Sequence, residues 1–149
     1  MLLRSVPIDL DQGRVRAGHG DLPPARHVAL ATTVRKADAV IIAPATYNSV
    51  NKLAAGIADN YALTVVAELV GLGLPTVVVP FVNAALASRA PYRNALRALE
   101  SEGVRILGSG DQWEPHEPGT GSQRQRRFPW QRAFDVAATL AARAEAAGS

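Results

Sequence analysis

Asn83 carries an amide that both donates and accepts, which is what holding a carboxylate in one orientation requires. It stands three residues after Pro80, beyond the apolar run 76–79, where a crevice is expected to open. The same residue type also suits the cap of a short helix. A second polar cluster, Thr46, Asn48 and Ser49, follows the apolar run 39–43 and Pro44. Asn48 or Ser49 can cap a helix there, and free N–H groups at a helix start favour anionic or polar ligand groups. Other chemistries are poorly served. Cysteine is absent, which removes disulfides and thiolate catalysis, and the three histidines are scattered without metal-ligand spacing. No G-x-S-x-G elbow is present.

The elements that must position these residues follow from hydrophobic pattern. Residues 39–43 form a short unbroken apolar run with β-branched residues at its centre, the mark of a parallel strand covered on both faces. Pro44, with no N–H for a central ladder, is expected to end it. Val50, Leu53, Ala54 and Ile57 then recur at helical spacing. A second helix carries the stripe Tyr61, Val65, Val66, Leu69 and Val70, closed by Gly71-Leu72-Gly73. Strand 76–79 precedes Pro80. Pro91 opens a further helix at its first position, with Tyr92, Leu96 and Leu99 inward and Gly103 stopping it. Residues 104–107 read as a third strand. Strands alternating with helices predict a three-layer, Rossmann-like (flavodoxin-like) α/β domain with a parallel sheet. The whole of 1–149 reads as a single domain. Residues 1–26 are rich in glycine and proline and read as irregular, with at most a brief edge strand at 8–10. Residues 108–127 form a flap-like loop in which Trp113 and His116 are candidate lid contacts. Residues 128–146 form a C-terminal amphipathic helix with Phe134, Ala137, Leu140 and Ala141 inward.

Beyond its pattern, the run Pro44-Ala45-Thr46-Tyr47-Asn48-Ser49, with Lys52-Leu53-Ala54 and Gly56-Ile57-Ala58-Asp59-Asn60, closely resembles a known flavin-contacting signature. It is that of the homo-oligomeric flavin-containing cysteine decarboxylases, a family that includes phosphopantothenoylcysteine decarboxylase and the peptidyl-cysteine decarboxylases. Pro80-Phe81-Val82-Asn83, followed by Pro91, Asn94, Leu96, Leu99 and Gly103-Val104, resembles the family's substrate-recognition loop, usually Pro-x-Met-Asn. The resemblance covers residues 37–107. It implies FMN contacted by Pro44, Ala45, Thr46, Asn48 and Ser49, and a substrate held by Asn83. His27-Val28-Ala29-Leu30 resembles the segment supplying the family's active-site histidine, so His27 is either a proton carrier or an exposed residue at a helix entry. Relatives begin with a strand, a Gly/Ser-rich turn and a helix that hold the flavin phosphate, and nothing in 1–26 matches that unit. Either the chain is part of a longer protein or it has lost part of the cofactor site. The flap of relatives often bears a cysteine, which this chain lacks.

Two functions follow from the resemblance. One is flavin-dependent oxidative decarboxylation of a cysteine-derived carboxylate, on a small-molecule or peptidyl-cysteine substrate. The other is a non-catalytic flavoprotein-like subunit that holds a ligand or partner. The family also implies a homo-trimer or a multiple of trimers, with the apolar helix 63–70 as a candidate interface. The 149 residues, 48% hydrophobic, suffice for one globular core. A net charge of +3, with Arg124-Gln125-Arg126-Arg127 lacking interleaved aromatics, gives no nucleic-acid footprint. No run reaches the roughly 18 apolar residues of a membrane span. Residues 1–4 start no leader-like apolar run, so a cytoplasmic protein is expected.

Overall fold

A computed structural model describes residues 5–9, 14–15 and 37–149 of the chain, the side chains of 5–9, 14–15 and 109 excepted. The expected three-layer α/β architecture is present. Among the described residues, five strands form one sheet in the order β2-β1-β3-β4-β5. They are β1 (Ser5–Asp9), β2 (Arg14–Val15), β3 (Ala39–Ala45), β4 (Thr76–Pro80) and β5 (Arg105–Ile106). β1, β3, β4 and β5 are mutually parallel, and β2 is an antiparallel edge. This is the flavodoxin-like strand order, with its switch point between β1 and β3.

The segment 1–26, read as irregular, thus holds an inner strand. Ser5–Ile8 of β1 pairs with Ala39–Ile42 of β3 in register, and β2 pairs antiparallel with β1 on its other side. A short strand beside a long buried partner is fixed by that partner, which local composition does not reveal. Residues 16–36, His27 among them, lie outside the described residues.

The side chains of β3 alternate between two cores. Val40, Ile42 and Ala45 enter one cluster; Ala39, Ile41 and Ala43 enter the other. β4 does the same, with Val78 on the first side and Val77 and Val79 on the second. Both faces are covered, as the unbroken apolar runs require.

The first face is covered by α1 (Tyr47–Ala54), α2 (Tyr61–Gly71) and α4 (Ala90–Ser101), with the four-residue α3 (Ala84–Ala87) ahead of α4. Asn60 caps α2, accepting the Leu63 N–H at 2.9 Å. The α2 stripe of Leu63, Val65, Val66 and Leu69 is buried within this chain, so within 63–70 only residues off that stripe face outward. Ile57 is 47% exposed and lies beyond α1. Gly56, at φ +73°, reverses the chain there, donating to the Leu53 carbonyl while Ile57 donates to that of Lys52.

The second face is covered by α6 (Trp130–Gly148) and by Trp113 and Phe128, which flank the short α5 (Gly121–Gln125). α6 lies against β3 and β4 through Ala133, Ala137 and Ala141, one per turn, each at most 2% exposed. Phe134, expected inward, is 37% exposed, because a helix crossing a sheet at close range presents its smallest side chains.

A candidate ligand site at the carboxyl ends of β3 and β4

β3 runs through Pro44 to Ala45, two residues beyond the apolar run 39–43. The ladder to β4 shifts between Ile42 and Ala45, and past that irregularity Ala45 partners Pro80. The missing proline N–H therefore falls where the ladder is already irregular. The Phe81 N–H then donates to the Ala45 carbonyl at 2.7 Å. The two polar turns singled out by sequence consequently start side by side, at the carboxyl ends of adjoining parallel strands and next to the switch point.

Thr46, and not Asn48 or Ser49, caps α1. Its backbone is extended, and its Oγ1 accepts the Ser49 N–H at 3.3 Å. The same hydroxyl approaches Ser49 Oγ at 3.3 Å. Ser49 is 2% exposed and Ala45 1%, so both support the turn from beneath. Pro44 and Thr46 are half-buried and Asn48 is exposed. Only these three of the five expected flavin contacts present surface outward. α1 has no acidic residue in its first turn, so its positive dipole end faces no carboxylate of its own. The set fits the polar edge of a flavin ring: small residues for close approach, an exposed amide, and helix N–H donors.

Asn83 caps α3. Its Oδ1 accepts the Leu86 N–H at 2.9 Å, which commits the acceptor end of the amide. The Nδ2 donor has no partner among the described residues. Asn83 also pairs with His116: the Ala84 N–H donates to the His116 carbonyl at 2.8 Å, and the His116 N–H to the Val82 carbonyl at 3.2 Å. Residues 108–127 are thereby fastened to the Asn83 turn.

Two features of that fastening escaped the sequence reading. The first is an aromatic cluster in which Phe81 meets Trp113 at 6.4 Å, His116 at 4.9 Å and Phe128 at 6.3 Å. Trp113 is 6% exposed and its Nε1–H donates to the Pro80 carbonyl at 2.6 Å, so it belongs to the core and is no loose lid contact. Arg124 lies over its ring, 4.1 Å from the centroid. The second is Asp111, whose side chain is 2% exposed. It accepts from Arg105 Nη2 at 2.8 Å and 3.0 Å, from Arg132 Nη2 at 3.0 Å, and from the Gly108 N–H at 3.2 Å. β5, the flap and α6 meet at this one carboxylate. Burial alone pushes the Asp111 carboxyl up, but the Gly108 N–H and the two guanidiniums outweigh it and hold the group below its ordinary value.

The described residues contain no group of three or more His, Cys, Asp or Glu side chains able to hold a metal ion. No described helix is long and apolar enough to cross a membrane.

Comparison with known proteins agrees with this fold. The profile of the family described as Flavoprotein matches residues 21–125. Among solved structures, the chain resembles the FMN-dependent cysteine decarboxylase TvaF from thioviridamide biosynthesis at 29% identity and a TM-score of 0.56, covering 80% of this chain and 58% of that one. A PPC decarboxylase mutant matches at 24% identity and a TM-score of 0.51, over 78% of this chain and 63% of that one, and so supports the fold. The chain thus spans about three fifths of the length of these structures. No curated protein matches it.

Proposed function

The chain belongs to the flavoprotein family, and from that premise we propose that it binds FMN and supports oxidative decarboxylation of a cysteine-derived carboxylate. The observation that carries this reading is the 2.7 Å bond from Phe81 N–H to the Ala45 carbonyl, which sets the Thr46–Asn48 turn beside the Asn83 turn. When bound, FMN supplies an acceptor for a hydride equivalent from the substrate's thiol-bearing carbon, giving a thioaldehyde that readily loses carbon dioxide. Pro44, Thr46 and Asn48, with Ala45 and Ser49 beneath them, hold the polar edge of the ring. The Nδ2 of Asn83 donates to the substrate carboxylate and fixes its direction, while the Oδ1 keeps the turn rigid through α3. His27 carries protons in this scheme. The substrate is a small molecule or a peptide ending in cysteine, and the working form is a homo-trimer or a multiple of trimers.

The test is the absorbance spectrum of purified protein reconstituted with FMN. A bound yellow chromophore that bleaches anaerobically on adding a peptidyl-cysteine, with release of carbon dioxide, is the expected result. The second reading is a flavoprotein-like subunit without turnover. The capping role of Asn83 favours it, since that role alone accounts for the residue. It predicts a bound chromophore, no bleaching and no carbon dioxide.

A further inference from the structure

A cavity of about 320 Å³ opens on the first face of the sheet, between α4, the ends of β4 and β5, and the flap. That volume is at the lower end of the roughly 300–1,000 Å³ typical of small-molecule sites. Its walls are mostly apolar: Val82, Leu96, Leu107 and Trp113 line it, and Ala87 leaves room at one end. Tyr92, Leu96 and Glu100 share one face of α4 at intervals of four residues, so the cavity runs along the helix. From Tyr92 to Glu100 is about 12 Å at 1.5 Å per residue.

The polar groups are unevenly placed. Tyr92 is 3% exposed, lines the cavity, and its hydroxyl has no hydrogen-bond partner among the described residues. At the other end stands Glu100, in the last turn of α4, with Glu114 across from it on the flap. Neither carboxylate has an ion-pair partner among the described residues. The lining cation, Arg93, already donates to the Ser88 carbonyl. The carbonyl end of a helix adds partial negative charge beside Glu100.

We propose that this cavity is a binding site for a small molecule with an ammonium group at one end, an apolar body, and a hydrogen-bonding group at the other. The ammonium lies at Glu100 and Glu114, the body along Leu96 and Leu107, and the far group meets the Tyr92 hydroxyl. Burial pushes that hydroxyl up to about 12, so it stays protonated and able to donate at neutral pH. The site shares no residue with the Pro44–Asn48 turn, but Pro80 and Val82 of the Asn83 loop line it, so it adjoins the position proposed for the substrate.

Tyramine is a probe with these three parts. Titrated calorimetrically into the flavin-free, full-length chain, it should bind saturably. Its anionic counterpart, 3-(4-hydroxyphenyl)propionate, should bind more weakly, and tyramine should bind Glu100→Gln up to about five-fold more weakly, since one exposed charge pair is worth at most about 1 kcal/mol. Tyr92→Phe should weaken tyramine but leave phenethylamine, which lacks the hydroxyl, unchanged. Ala87→Leu should abolish binding by filling the space. Absence of saturable tyramine binding overturns the proposal, as does equal binding of the carboxylate or indifference to Glu100→Gln. Glu100 is exposed, so its variant tests the idea even if Ala87→Leu fails to fold.

Discussion

The two ends of the Asn83 amide can be separated by substitution. Aspartate caps a helix nearly as well as asparagine, so Asn83→Asp should keep the melting temperature, while Asn83→Ala should cost about 1 kcal/mol. Turnover should rank the other way, with Asp worse than Ala because it sets like charges together beside the substrate carboxylate. Full activity in a stable Asp variant would remove Asn83 from the chemistry and leave it a cap. Thr46→Ala should likewise cost about 1 kcal/mol, read by denaturant titration, through loss of the α1 cap. At this scale the sequence was a good guide to which turns matter and a poorer one to which atom does what. Thr46, Asn48 and Ser49 are all capable caps, and the choice among them depends on where β3 ends. That end was set two residues further on by its partner strand, beyond what Pro44 alone suggests.

Elements are joined most tightly at Asp111, and pH should expose it. A carboxyl held below its ordinary value contributes stability that is fully present above the unfolded value, about 4. That contribution is lost as pH falls through the lower folded value. Asp111→Asn should therefore destabilise the protein at pH 7 by about 2 kcal/mol. This is less than the full cost of breaking a buried pair, because Arg105 and Arg132 are 40% and 52% exposed. The gap between variant and parent in urea titrations should narrow below pH 4; a constant gap would show that charge is not what holds the three elements. β3, β4 and the helices α1, α2, α4 and α6 were legible from periodicity, each within a few residues. The Asp111 junction was not, since its arginines lie six residues before and 21 after it, and nothing local links them. β1 escaped for the same reason, because its partner is thirty-odd residues away.

For the molecule as a whole, association is the open prediction. The α2 stripe is packed within the chain and offers no apolar patch for a subunit contact. α6 offers Trp130, 44% exposed, and Phe134, 37% exposed, one turn apart on its outer side. Light scattering at micromolar concentration should report a trimer or a multiple of one, and a monodisperse monomer would contradict it. Within each chain, the two tryptophans differ sharply in setting: Trp113 is 6% exposed and bonded to the last carbonyl of β4, whereas Trp130 faces outward. The protein accordingly carries its own optical reporters, one for the seating of the flap and one for the surface of α6. In a Trp130→Phe background the remaining emission should be blue-shifted while the flap is docked and move to longer wavelength if it lifts. Movement of that segment can then be followed in real time on unlabelled protein.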